Sequence, residues 1–384
     1  MKTSRNTAWA FFVVFLVIQG MASAQSPFAG LEAEGKQAGA PEWLREGVRL
    51  TYRMSAAAMN VIGTGYETAN SGIAHVDITS VAKGTASGNV SNWNRLLDAP
   101  GAAGGWVPSG SSGFSKPAGL GDFWAHPRVL VKAAEKLSAD RFWKVERGPY
   151  EVFNKKVEAV TFTYADPAGQ AVSRHVFDAQ TGIALFFGES RRQFPGAVLL
   201  PVTTIEFLSI RERKLPWIEG RPPAWIFKTK RLVFEGSRTI SSPGGYPFQS
   251  GIRYTLDKSA QGPNFIAGQL KMEQEGVQPQ MSFVVSGASS ASGFWLPPLG
   301  LQEVARNFRG AEVEIDADPV TGARTAVVFT GVAPHGRNVV TLREQTGGYA
   351  SWSDYEVETG ILIQWTTQIH ALFTSVQVFF AGLE

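Results

Sequence analysis

Apolar and polar residues alternate with a period of two along most of this chain. The runs Val160 to Tyr164, Thr203 to Ile210 and Thr374 to Phe380 are rich in β-branched and aromatic side chains and are bounded by Gly, Pro or Asp. That pattern predicts strands with one face buried. Asp178-Ala179-Gln180-Thr181-Gly182 and Glu356-Val357-Glu358-Thr359-Gly360 each fall between two such runs. A glycine there can take positive φ, so each segment predicts a hairpin turn. Helical periodicity is confined to short pieces. The clearest runs from Pro127 to Leu137, with Val129, Leu130, Ala133, Ala134 and Leu137 on one face after a proline start, and Gly300 to Phe308 is its candidate counterpart.

The same landmarks occur twice in one order, at nearly the same offset. Pro41-Glu42-Trp43-Leu44 and Arg49-Leu50-Thr51-Tyr52 return as Pro223-Ala224-Trp225-Ile226 and Arg231-Leu232-Val233-Phe234. Gly65-Tyr66 with Ser71-Gly72-Ile73 returns as Gly245-Tyr246 with Ser250-Gly251-Ile252. Phe123-Trp124 is echoed by Phe294-Trp295, and the two hairpin segments match as well. This order predicts two tandem homologous units, 41–217 and 223–384, joined by a linker at 218–222. Residues 25–40, rich in Gly and Ala, read as a flexible lead-in. The expected fold is mostly β with minor α: two units of curved antiparallel sheet, half-barrel-like, each with one or two short helices. Exported lipid carriers share that general shape, but no motif identifies a family.

The N-terminus changes the picture of where the protein works. Lys2 and Arg5 precede an uncharged apolar run from Ala8 to Ile18, and Ala22-Ser23-Ala24 follows. This is the order of a cleaved signal peptide over residues 1–24, and the run is shorter than the roughly 20 residues a membrane span needs. The reading is export to the periplasm or the extracellular space, with no transmembrane span in the mature chain. The formal charge is +3, and the leader holds two of those cations, which removes the electrostatic case for nucleic acid. The clusters Arg211-Glu212-Arg213-Lys214 and Lys228-Thr229-Lys230-Arg231 then read as solvated or snorkelling strand residues. There is no cysteine. Disulfides, thiolate metal sites and cysteine nucleophiles are therefore excluded, and an exported chain of this length must be held by its core.

No local motif supplies catalytic chemistry, a cofactor site or a metal site. The five histidines form no His-x-His or His-Glu-x-x-His pair. Ser109-Gly110-Ser111-Ser112-Gly113 lacks the spacing of a nucleophile elbow and reads as a loop. Glu312-Val313-Glu314-Ile315-Asp316-Ala317-Asp318 is the sharpest pattern: on a regular strand all four carboxylates share one face. That face is expected in water or opposite a basic strand, and its spacing is not that of a calcium loop.

The excess of aromatics leaves the candidate ligand-binding residues as Trp93, Trp106, Phe123, Trp124, His126, Phe294 and Trp295. Trp93 and Trp106 flank a glycine-rich stretch without tryptophan counterparts in the second unit. The leading functional reading is an exported, non-catalytic binding or structural module that holds an apolar, lipid or glycan ligand, or an exported partner protein, in a cleft of the duplicated units. A periplasmic or secreted hydrolase or lyase acting on polysaccharide or lipid is the alternative, since a carboxylate pair needs no local motif. An outer-membrane-associated protein is the second alternative.

Overall fold

The computed structural model describes residues 26–59, 66–95, 105–192, 197–218, 220–241, 246–289, 293–370 and 373–384. The signal-peptide reading of residues 1–24 lies outside them. Among the described residues the protein is mostly β, with two open antiparallel sheets of 9 and 10 strands and four short helices.

The first sheet holds β1 (Val48–Met59), β2 (Tyr66–Ala82), β3 (Thr85–Arg95), β4 (Trp106–Pro117), β5 (Trp143–Val152), β6 (Lys155–Ala165), β7 (Ala171–Asp178), β8 (Ala184–Arg191) and β9 (Leu200–Glu212). Its spatial order is β4-β3-β2-β1-β9-β8-β7-β6-β5. The second holds β10 (Arg231–Ile240), β11 (Phe248–Gln261), β12 (Phe265–Gln274), β13 (Val277–Gly287), β14 (Val313–Ala317), β15 (Arg324–Val332), β16 (Asn338–Gln345), β17 (Tyr349–Glu356), β18 (Leu362–Ile369) and β19 (Thr374–Leu383). Its order is β13-β12-β11-β10-β19-β18-β17-β16-β15-β14. The two connectivities are the same strand for strand, and β14 is an additional edge strand of the second sheet. The helices are α1 (Glu32–Ala38), α2 (Pro127–Leu137), α3 (Trp225–Lys228) and α4 (Pro298–Asn307).

Corresponding side chains make corresponding bonds. Trp43 Nε1 donates to the Thr181 carbonyl and Trp225 Nε1 to that of Thr359, each at 2.8 Å. The Tyr52 ring lies 5.0 Å from Phe123 and 5.7 Å from Phe207, and Phe234 lies 5.6 Å from Phe294 and 5.7 Å from Phe380. Gly182 and Gly360 have φ of 76° and 72°, as their hairpin segments require. A side chain at either would meet the carbonyl oxygen of Ala125 or Leu296.

Four local expectations differ from what is found. Residues 26–40 are not a loose lead-in. Phe28 and Leu31 are buried, and α1 packs on α2. The Ser/Gly stretch 109–113 is part of β4, because pairing with β3 and close approach to β13 order a segment whose small residues carry no alternation. The second long helix begins at Pro298, two residues before the expected start. The fourth difference concerns the acidic stripe. A β-bulge between Glu314 and Asp316 sets Glu314 opposite Ala326 and Asp316 opposite Thr325. One extra residue reverses the alternation, so Asp316 turns to the face of Val327 while Glu312 and Glu314 stay in water.

Candidate functional site: an ionic junction and an apolar groove

The outer face of the first sheet lies against the inner face of the second. In β1, Leu50, Tyr52 and Met54 point into the first sheet's core, so Arg49 and Thr51 point away from it. Register lines up Asn89, Asp77, Arg49 and Arg211 across four strands, and Ser91, His75, Thr51 and Ser209 in the next row. Asp316 and Asp318 from β14 and its turn meet these rows.

Arg49 holds Asp77 through two bonds of 2.6 and 2.8 Å. Arg211 grips Asp316 at 2.5 and 3.0 Å and reaches Asp318 at 3.3 Å, while Arg213 Nε donates to Asp316 at 3.1 Å. Asp318 Oδ2 also lies 3.6 Å from Arg49 and 3.5 Å from His75 Nε2. Its Oδ1 accepts from the Val320 and Thr321 amides at 3.0 and 2.8 Å. One carboxylate thus caps its own turn and joins the two sheets.

Burial works against the charge on Asp77, and Arg49 and Arg213 outweigh it, holding the carboxyl well below the usual range. Burial also opposes ionisation of Asp318. The neighbouring His75, the Thr321 amide and Arg49 overcome it, again well below the usual range. His75, fully buried, is pushed down by desolvation and then by Arg49, which keeps the ring neutral near pH 7. Desolvation raises Glu344, whose strand position shares the face of Val340 and Leu342. Arg49, Arg211 and Arg213 thus face three aspartates, with Glu344 a fourth acid within electrostatic reach of Arg49 and Arg213. The segment 211–214, expected as solvated or snorkelling, instead supplies one buried arginine, Arg213, and one half-buried, Arg211, because β14 covers it. An apolar cluster of Ile73, Trp93, Val107, Ala323 and Tyr349 seals one side of the junction.

The second feature is a groove of about 310 Å³ between α4 and strands β14 and β15, lined by Pro216, Glu303, Val304, Asn307, Phe308, Val313, Ile315 and Val327. Val304 and Phe308 are half-buried and Val313 is 46% exposed. In the first half the matching α2 positions, Ala133 and Leu137, are buried and share one cluster with Val145, Phe28 and Leu31. The chain's own N-terminal segment covers that place. In the second half Leu215 and Trp217 fill the inner part, with Trp217 against Gly300, and the outer part is open.

None of the seven aromatic and histidine candidates lines the groove. Phe123, Trp124 and Trp295 are core residues. The Trp124 indole donates to Ala118 at 2.9 Å and that of Trp295 to Ser286 at 3.3 Å. Phe294 is half-buried beside Phe234. His126 is the N-cap of α2, its Nδ1 accepting from the Arg128 amide at 3.1 Å. Trp93 packs edge-on against Tyr349 at 5.9 Å, and Trp106 lies beside it, its carbonyl bonded to Thr346. These two belong to the contact between the sheets. Sequence reading singles out the stripe that holds Asp316 and Asp318 and the cluster that holds Arg211 and Arg213, but it does not join them or name Arg49, Asp77 and His75 as their partners, although a further signal is present. Asp318-Pro319-Val320-Thr321-Gly322 is a third copy of the carboxylate-x-x-Thr-Gly turn, with Gly322 also at positive φ.

No protein-family model and no curated protein matches this chain. Among solved structures, it is similar to MucB in complex with MucA(peri), at 9% identity over 93% of both chains with a TM-score of 0.24. It is also similar to a β-barrel-like protein of domain of unknown function DUF1849 from Brucella abortus, at 9% identity, covering 89% of this chain and 98% of that one, TM-score 0.18. A DUF3598-family protein of unknown function from Nostoc punctiforme matches at 11% identity, covering 91% and 99%, TM-score 0.15. Superpositions this loose carry no argument about function. The fold and its geometry define a two-sheet β protein with an ionic junction between its sheets and an apolar groove on the second. No helix among the described residues is long and apolar enough to cross a membrane.

Proposed function

We propose that this chain is an exported, non-catalytic binding module, built from one β unit written twice, that holds an apolar ligand on its second half. The observation that carries the reading is the groove at α4: apolar side chains stay accessible there, whereas the first half covers the corresponding helix with its own segment. Shape and lining suit a small apolar group oriented by a few polar contacts at the rim. The buried charges support a structural role for the junction, because each aspartate is already engaged by arginine. Fluorescence titration with a neutral apolar dye tests the reading. Phe308→Asp is expected to weaken dye binding at least about tenfold, roughly the loss of one well-packed contact. Phe153→Asp, which alters an exposed ring on the β5–β6 turn of the first half, leaves it unchanged. Equal binding by both variants overturns the proposal.

A further inference from the structure

We infer that the groove takes a short peptide segment of a partner protein, bearing two apolar side chains at i and i+3 and a basic residue just beyond them. The inference rests on the groove being a binding site, and deepens it by naming the occupant. The molecule carries its own precedent. In the first half Phe28 and Leu31, three residues apart, lie in the cluster of Ala133, Leu137 and Val145, which is the apolar face matching Val304, Phe308 and Val327. The Phe28 ring packs edge-on against Phe162 and Phe177 at 5.9 and 5.1 Å.

The polar contacts of that segment say what differs in the second half. Glu34 faces Lys132 at 3.9 Å, and Lys136 Nζ donates to the Ala29 carbonyl at 2.8 Å. With the helices aligned on Pro127 and Pro298, Lys132 corresponds to Glu303 and Lys136 to Asn307. The amide of Asn307 keeps a donor for a segment carbonyl, but the charge at the rim is reversed. A segment docking there therefore carries a cation where α1 carries Glu34. Glu303 and Asn307 are exposed and line the groove, so both are free to meet it. Glu303, the one charged side chain among the described residues of the groove lining, opposes the anionic headgroup or carboxylate of a lipid, and an open groove of this small volume suits side chains better than a long acyl chain.

The test uses the full chain and two labelled synthetic peptides, one copying residues 26–40 and one carrying Glu34→Lys, followed by fluorescence anisotropy. The Glu34→Lys peptide is expected to bind two- to fivefold more tightly, the range of roughly one exposed ion pair. Glu303→Lys in the protein reverses the preference, and Phe308→Asp abolishes binding of both peptides. Lys132→Glu, on the covered helix, leaves the ratio unchanged. Equal affinity of the two peptides, or a preference that Glu303→Lys does not alter, overturns the inferred charge pattern. If neither peptide binds while the neutral dye does and a fatty acid displaces it, the occupant is a lipid and this inference falls with the groove intact. If the dye also fails to bind, the groove reading itself is wrong.

Discussion

The two halves agree where side chains must pack and differ where they need not. Trp43 and Trp225, Tyr52 and Phe234, and Gly182 and Gly360 occupy matching positions with matching partners. Around those cores the halves diverge in two places. The first carries a segment over its helix, and the second carries β14, which has no counterpart in the first sheet. Core positions each touch many neighbours, so a change there is felt by all of them. An edge strand or a covering segment adds contacts without displacing any. Here such an addition created the junction, and the shorter cover that Leu215 and Trp217 give α4 left the outer part open as the groove.

The largest effect is expected from breaking the added strand's attachment. Asp316→Asn removes the carboxylate shared by the half-buried Arg211 and the buried Arg213, leaving them only the longer contacts to Asp318 and Asp77, and should cost about 3 kcal/mol. Denaturant unfolding is expected to split into two transitions as the halves lose their coupling. A single transition at the original midpoint would show that β14 does not hold the halves together.

A second difference is one of pH. His175 is buried against Phe187 in the first half, and burial lowers its pKa to about 4, whereas the matching position in the second half is Ser353. The folded state keeps this ring neutral, and the unfolded state binds a proton below roughly pH 6.5. The resulting stability is therefore complete above that pH and lost as pH falls toward 4, amounting to roughly 3 kcal/mol. His75, also pushed down by burial, acts in the same sense. His175→Ser should flatten this part of the pH profile of the first half, read by urea midpoints between pH 7 and 4. An unchanged slope would mean that the ring is protonated in the folded chain.

The matched turns offer a sharper comparison. Gly182→Val and Gly360→Val force a branched residue into positive φ and against a carbonyl, so each should destabilise by more than about 1 kcal/mol, and by similar amounts. Melting temperatures that differ strongly between the two would break the equivalence of the halves. The smallest effect belongs to the outer part of the acidic stripe. Glu312→Gln with Glu314→Gln should change stability by no more than about 0.5 kcal/mol, because both carboxylates are solvated and pair only at the surface. Millimolar calcium should leave the melting temperature of the parent chain unaltered, and a calcium-dependent rise lost in the double variant would reassign the stripe.

Much of the fold was legible because its signals are local. The hairpin glycines, the helix from Pro127 to Leu137 and the period-two runs each report on neighbours a few residues away, and all three appear as read. The site was far less legible. Trp93 and Trp106 drew attention as tryptophans without counterparts, and they do mark the asymmetric region, where they pack between the sheets. Phe308 and Val304 gave no signal, since an apolar helix face reads the same whether a neighbouring segment covers it or not.

From the sequence alone follow the β character of the chain, the turn positions, the short helices and the order of paired landmarks, because backbone preference and alternation act over a few residues. Tertiary structure decided the rest. A single bulge at Ile315 turned Asp316 inward, an event that alternation cannot encode because one inserted residue reverses every face after it. The meeting of Asp316 and Asp318 with Arg49, Arg211 and Arg213 joins residues from distant strands, and only the docking of one sheet on the other determines which charges are buried together.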